Sequence, residues 1–168
     1  MEERAIPLKS NNLWGWADIY NAKEIVEPKY DSVFYYYKKG FIVIKNKKSG
    51  VIECDNYNQC NQILEPLYDD INYYPRHGYV TTINDKKGFI NKEKSILIDN
   101  LYDKIILVDE FIYVINNEKF KSGVYSMEDK KQIISSNYEI ISIEYEHFWK
   151  DRTEDKEKAF IKFDIFSG

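Results

Sequence analysis

At 168 residues the chain suits one domain that would bury about 70% of the surface its unfolded form exposes. A formal charge of −4, from 24 basic and 28 acidic side chains, argues against a nucleic-acid partner, which requires a basic stripe to displace counterions from phosphates. The chain holds 15 Tyr and 9 Phe against 7 Gly, 4 Pro and 2 Met, the bias of pleated, half-buried strands, so the expected class is all-β. No apolar run reaches the length of a secretory signal or a membrane span, so the expected location is the cytoplasm, away from the membrane.

In chain order the first expected strand is 5–9, whose Pro7 suits a sheet edge. It leads to Gly15 and a short strand over 16–19. From there two markers recur. A glycine followed by an apolar or aromatic residue stands at Gly15, Gly50, Gly88 and Gly123, at intervals of 35, 38 and 35 residues. A tyrosine followed by Asp or Glu stands at Tyr30, Tyr68, Tyr102 and Tyr138, at intervals of 38, 34 and 36. A period in this range marks tandem units that bury their apolar faces only against neighbouring units. Counted from the glycines, the units are 1–14 (partial), 15–49, 50–87, 88–122 and 123–168, together one repeat domain.

Residues 24–33 and 62–71 are identical at five of ten positions. Pro28 and Pro66 lack an amide donor, so this stretch is expected to be a connector entering the next strand, with Asn100 and Ser136 as turn formers in later units. After each tyrosine the residues alternate. Val33, Ile71, Ile105 and Ile141, with Tyr35, Tyr73, Leu107 and Ile143, are apolar or aromatic in every unit and are expected to be core. Phe34, Asn72, Ile106 and Ser142, with Tyr36, Tyr74, Val108 and Glu144, form the opposite, partly wet face. Second strands follow at 41–45, 79–83 and 111–115, then hairpins rich in Lys and Asn whose glycines are expected in the turns, then third strands at 51–54, 89–91 and 124–126. One unit is therefore expected to be a three-stranded antiparallel meander plus a connector. Such units are expected to stack as an open twisted β-solenoid; the alternative is a small β-propeller, whose blades have four strands.

The last unit carries a charged insertion near 149–159, expected to be a solvated loop. Its strand 160–164 is apolar and without proline. That carboxyl-terminal edge is expected to be covered by 145–149 or to pair with a second copy in a homodimer.

The run Leu13-Trp14-Gly15-Trp16-Ala17-Asp18 and the recurring Ile-x-Pro-x-Tyr-Asp-x-Val block resemble the WG-repeat, or KWG-repeat, family of bacterial proteins. The likeness spans about residues 5–148 and the last nine. Two departures stand out: the tryptophan before glycine occurs only as Trp14, with Ser49, Lys87 and Ser122 in its place later, and the proline is lost from the third and fourth units. The resemblance implies an all-β repeat module without established catalytic activity, often an interaction part of larger proteins.

The residues themselves offer no catalytic set. His77 lies in a turn and His147 beside the insertion, neither with a partner pattern of a triad or metal site. Asp31, Asp69, Asp103 and Glu139 recur once per unit, which suits turn capping. Cys54 and Cys60 match no zinc spacing; two free thiols are expected, with a local disulfide as the alternative in an exported protein. The chain is thus expected to be no enzyme and to hold no metal or cofactor. The expected activity is recognition of another protein through an outward stripe of Phe34, Tyr36, Tyr74, Ile106 and Val108, as an adaptor, inhibitor or immunity-type partner. The alternative is carbohydrate or cell-wall binding, in which exposed tyrosines and the Trp14/Trp16 pair stack on sugar rings.

Overall fold

The computed structural model describes residues 5–36, 40–55, 59–116, 121–138, 144–145 and 161–162. The described residues are all-β, in antiparallel sheets. The chain divides into two compact units, Met1–Asn100 and Leu101–Gly168.

In the first unit, β1 (Ala5–Ser10), β2 (Leu13–Asp18) and β3 (Glu24–Tyr30) form a three-stranded sheet. β4 (Ser32–Tyr36), β5 (Gly40–Lys45), β6 (Lys48–Asp55) and β7 (Gln59–Tyr68) form a second sheet of four strands in sequential order. β8 (Asp70–Tyr74), β9 (Gly78–Ile83), β10 (Lys86–Asn91) and β11 (Ile96–Tyr102) repeat that pattern, with β11 running just past the unit boundary. In the second unit, β12 (Lys104–Val108), β13 (Phe111–Asn116), β14 (Lys121–Ser126) and β15 (Lys131–Tyr138) do the same, and β16 (Glu144–Tyr145) pairs with β17 (Ile161–Lys162).

Each complete sheet therefore has four strands where three and a connector were expected, because the proline-bearing stretch is itself a strand. Its proline is tolerated by a bulge. On β6 and β7 the register runs Ser49↔Tyr68 and then Val51↔Leu64, so residues 65–67 face the single residue Gly50. The same irregularity lies between Trp14 and Trp16 on β2 and between Ser122 and Val124 on β14. A bulge releases the strand from regular pairing, and a proline there removes no ladder bond. Sheets begin after each Tyr-Asp pair; the glycine-to-glycine stretch 15–49 draws its strands from two sheets.

The glycines have a different task from the one expected of them. The tight turns use left-handed Asn11-Asn12, Asn46-Lys47 and Asn84-Asp85, with φ between 50° and 63° at all six residues, the conformation of a two-residue type I′ hairpin. Gly15, Gly50 and Gly88 sit instead inside β2, β6 and β10, close against the backbone of the next strand. A Cβ on Gly50 would lie 2.6 Å from the Leu64 carbonyl oxygen and 2.8 Å from the Pro66 nitrogen, and one on Gly15 would lie 2.1 Å from the Val26 oxygen. In the first two sheets the glycine and the proline are two sides of one close backbone approach.

Both faces of the second sheet carry core residues, including the one expected to be partly wet. Toward the first sheet, Val26 and Tyr30 pack with Phe41, Val43, Ile52 and Cys54, joined by Ala5, Trp16, Ile25 and Val33. Toward the third, Val51 and Leu64 pack with Ile71, Tyr79 and Ile90, joined by Tyr36 and Tyr73. Adjacent Val51 and Ile52 thus enter different cores, as period-two alternation requires of a strand covered on both sides.

The recurrent Asp ties hairpins rather than capping its own turn. Asp31 Oδ2 accepts from the Asn46 amide at 2.6 Å and Asp69 Oδ2 from the Asn84 amide at 2.7 Å, each reaching the tight turn fifteen residues ahead. Asp69 also accepts from Lys48 Nζ on the preceding hairpin. The Asp31, Asp69 and Asp103 amides donate to Ile44, Thr82 and Ile115 carbonyls. Bonds from Lys48 first, and from the Asn84 amide second, hold the Asp69 carboxyl below its ordinary pKa of 3.8. Its stabilising contribution is therefore present above that ordinary value and lost as pH falls through the lowered one. Urea midpoints of wild type and Asp69→Asn should differ at pH 7 and converge in strong acid. A gap unchanged with pH would place the effect elsewhere.

The cysteines are paired, not free as expected. Cys54 and Cys60 are direct cross-strand neighbours on β6 and β7 with Cα atoms 4.0 Å apart, and they form a disulfide.

Candidate functional site

Among the described aromatics of the first unit, Tyr20 in the turn after β2 is the most exposed, and the others that stay exposed lie on edge strand β4 and on β8. Phe34 is 54% exposed, Tyr35 41% and, on β8, Tyr74 40%. Phe34 and Tyr35 are consecutive and so point to opposite faces of the sheet. Tyr35 was expected in the core; its ring leans on Phe41, its cross-strand partner, at 5.7 Å and on Trp16 at 6.3 Å, while its outer side meets solvent.

Tyr36, expected to point outward, is instead half-buried between the second and third sheets. Its ring centroid lies 4.8 Å from that of Tyr73 and its hydroxyl 2.8 Å from that of Tyr79. The Tyr79 hydroxyl donates to Glu53 Oε1 at 2.5 Å, and Lys94 Nζ stands 3.6 Å from Glu53 Oε2. Burial raises both phenol pKa values, and the Glu53 bond adds to the rise at Tyr79. The chain of Tyr36, Tyr79 and Glu53 is a polar lock between sheets.

Ile106 and Val108 are half-buried on β12 of the second unit, opposite Tyr113 and Phe111. The structure does not extend the Phe34 row to them within one unit. Trp14 is half-buried beneath the Lys9 ammonium, 5.0 Å from its ring centroid. Trp16 packs against Phe41 at 5.2 Å, and its indole Nε1 is buried without an acceptor.

Four other groups carry structure that their sequence did not announce. Asp18, Asn91 and Ser126 are buried and stand three residues after their glycines. Their side chains accept from the amides of Tyr20, Ser95 and Asp129 and so close the outer hairpins. Their common offset from the glycine was the available signal. Asn100, aligned with Pro28 and Pro66, donates its amide to the Thr81 and Lys86 carbonyls, a specific role beyond turn formation.

The amide of His77 donates to the Tyr74 carbonyl at 3.1 Å. Among the described residues no group of three or more His, Cys, Asp or Glu is placed to hold a metal. His147, Ile141, Ile143 and the 149–159 insertion lie outside the described residues. Of the carboxyl-terminal edge, Ile161 pairs with Tyr145 and Lys162 with Glu144. No helix among the described residues is long and apolar enough to cross a membrane.

No protein-family model matches the chain, and no curated protein sequence matches it. Among solved structures, the Kluyveromyces lactis Hsv2 variant with loop 6CD replaced by a Gly-Ser linker is similar at a TM-score of 0.41 and 9% identity, over 74% of this chain and 46% of that one. Kluyveromyces lactis Hsv2p is similar at 0.39 and 7%, over 80% and 47%. The chain thus spans about half the length of these proteins, at a likeness too slight to bear on function.

Proposed function

We propose that this chain is a non-catalytic protein-recognition module whose contact surface is the β4 edge and the neighbouring β8 tyrosine. One observation carries the reading: with Tyr20 in the turn after β2, Phe34, Tyr35 and Tyr74 are the described aromatics that stay exposed in a unit whose others are mostly drawn between sheets. Tyr and Phe supply large contact area at little rotamer cost. The WG-repeat resemblance supports the same role. Four antiparallel strands per repeat also match a propeller blade, which favours the propeller over the open solenoid. A cytoplasmic setting, the absence of a cofactor and a homodimer through the carboxyl-terminal edge belong to the same proposal.

Sugar stacking is less well supported. Trp16 is committed to the core cluster around Phe41, and Lys9 occupies one face of Trp14.

The test is a pull-down from lysate of the source organism with wild type, Phe34→Ser/Tyr35→Ser/Tyr74→Ser, and Tyr36→Phe, each first shown to fold by circular dichroism. The triple variant should lose a partner that Tyr36→Phe retains. Equal capture by all three would remove the patch from the interface.

A further inference from the structure

Three of the larger sheets bond an outer hairpin through a side chain, and the fourth carries a reactive cross-strand link at its own. Between the last paired residues lie four residues after Asp18, three after Asn91 and four after Ser126, up to Lys23, Ser95 and Lys131. Each of these short turns is bonded from within by the buried side chain that begins it. The equivalent position in the second sheet is Glu53, paired with Asn61 across seven residues. Its carboxylate accepts from Tyr79 and meets Lys94 on the third sheet. Next to that pair the Cys54–Cys60 disulfide joins the two strands covalently, and pairing continues outward to Asp55 and Gln59. Only this link can be undone by a change of redox conditions.

We propose that the β6–β7 pair is a redox-sensitive element: oxidised, the disulfide pins the ladder at residues 52–54 and 60–62, and reduced, that ladder loosens while the other hairpins stay shut. The reductant is a thiol. Its thiolate attacks Cys60 Sγ, on the less buried of the two cysteines, forming a mixed disulfide and expelling Cys54 as a thiolate that takes up a proton. A second thiol then releases Cys60 and leaves the reductant as its own disulfide. Two electrons pass from the two thiols to the protein, and an oxidised thiol reagent reverses the step. Reduction loosens the part of β6 that carries Glu53, so the redox state reaches the Tyr79 hydroxyl and the contact between the second and third sheets.

Amide hydrogen exchange on the full chain, with and without dithiothreitol, tests this. Reduction should speed exchange at residues 52–54 and 60–62 by about tenfold or more, as local opening does. The corresponding hairpin at 90–96 should be unchanged, and oxidised glutathione should restore the first rates. Cys54→Ser/Cys60→Ser should match the reduced protein without reductant; if that variant does not fold, the reduced wild type decides. Unchanged exchange at 52–62, or equal loss of protection in every strand, overturns the proposal.

Discussion

Gly50→Ala should destabilise the protein by about 3–5 kcal/mol, at the upper end of single-site effects. The added methyl would enter the bulge where β6 meets β7, 2.6 Å from the Leu64 oxygen and 2.8 Å from the Pro66 nitrogen. Backbone atoms cannot rotate aside as a side chain does. Relief requires the bulge itself to move, and it holds Val51 and Leu64 in the core shared with the third sheet. Gly40→Ala is the informative comparison, because the obstruction there is the Tyr36 ring, 2.4 Å away at its nearest atom. That ring can shift at the expense of its bond to Tyr79, so a smaller loss is expected. Urea unfolding of both variants measures the order; a Gly50→Ala protein as stable as wild type would mean that the bulge is far softer than its geometry.

Phe41→Ala should cost about 3–5 kcal/mol through the cavity it leaves. Phe41 is fully buried between the first two sheets, with Trp16, Tyr35 and Val43 around it. The loss should carry an optical signature. Trp16, 5.2 Å from the Phe41 ring, would gain water on that side, and the tryptophan emission of the folded variant should move to longer wavelength. A fall in the urea midpoint with unchanged emission would show collapse of the sheets onto the vacancy.

Much of this architecture is legible in the residues alone. Tyr-Asp and Gly-apolar markers at matched spacing reveal the repeat, and alternation locates β4, β5, β8, β9, β12 and β13 close to their observed positions. The fourth strand is harder to read, since Pro28 and Pro66 argue against a ladder unless a bulge and a facing glycine are known to be present. The candidate site is legible only in part. Phe34 and Tyr74 are exposed as their alternation suggests, while Tyr36, of the same parity, is half-buried and Tyr35, of the opposite parity, is exposed.

Sequence by itself determined the repeat, the all-β class and which residues share a face, because these follow from backbone pleat and turn chemistry within a few residues. Tertiary structure decided which faces are covered, why the glycines recur, that Cys54 meets Cys60, and where Glu53 sends its carboxylate. Those outcomes depend on atoms brought close by strand pairing and sheet packing. A period of two states only that Tyr36 and Phe34 point the same way; the third sheet, with Tyr73 and Tyr79, reaches one and leaves the other in water.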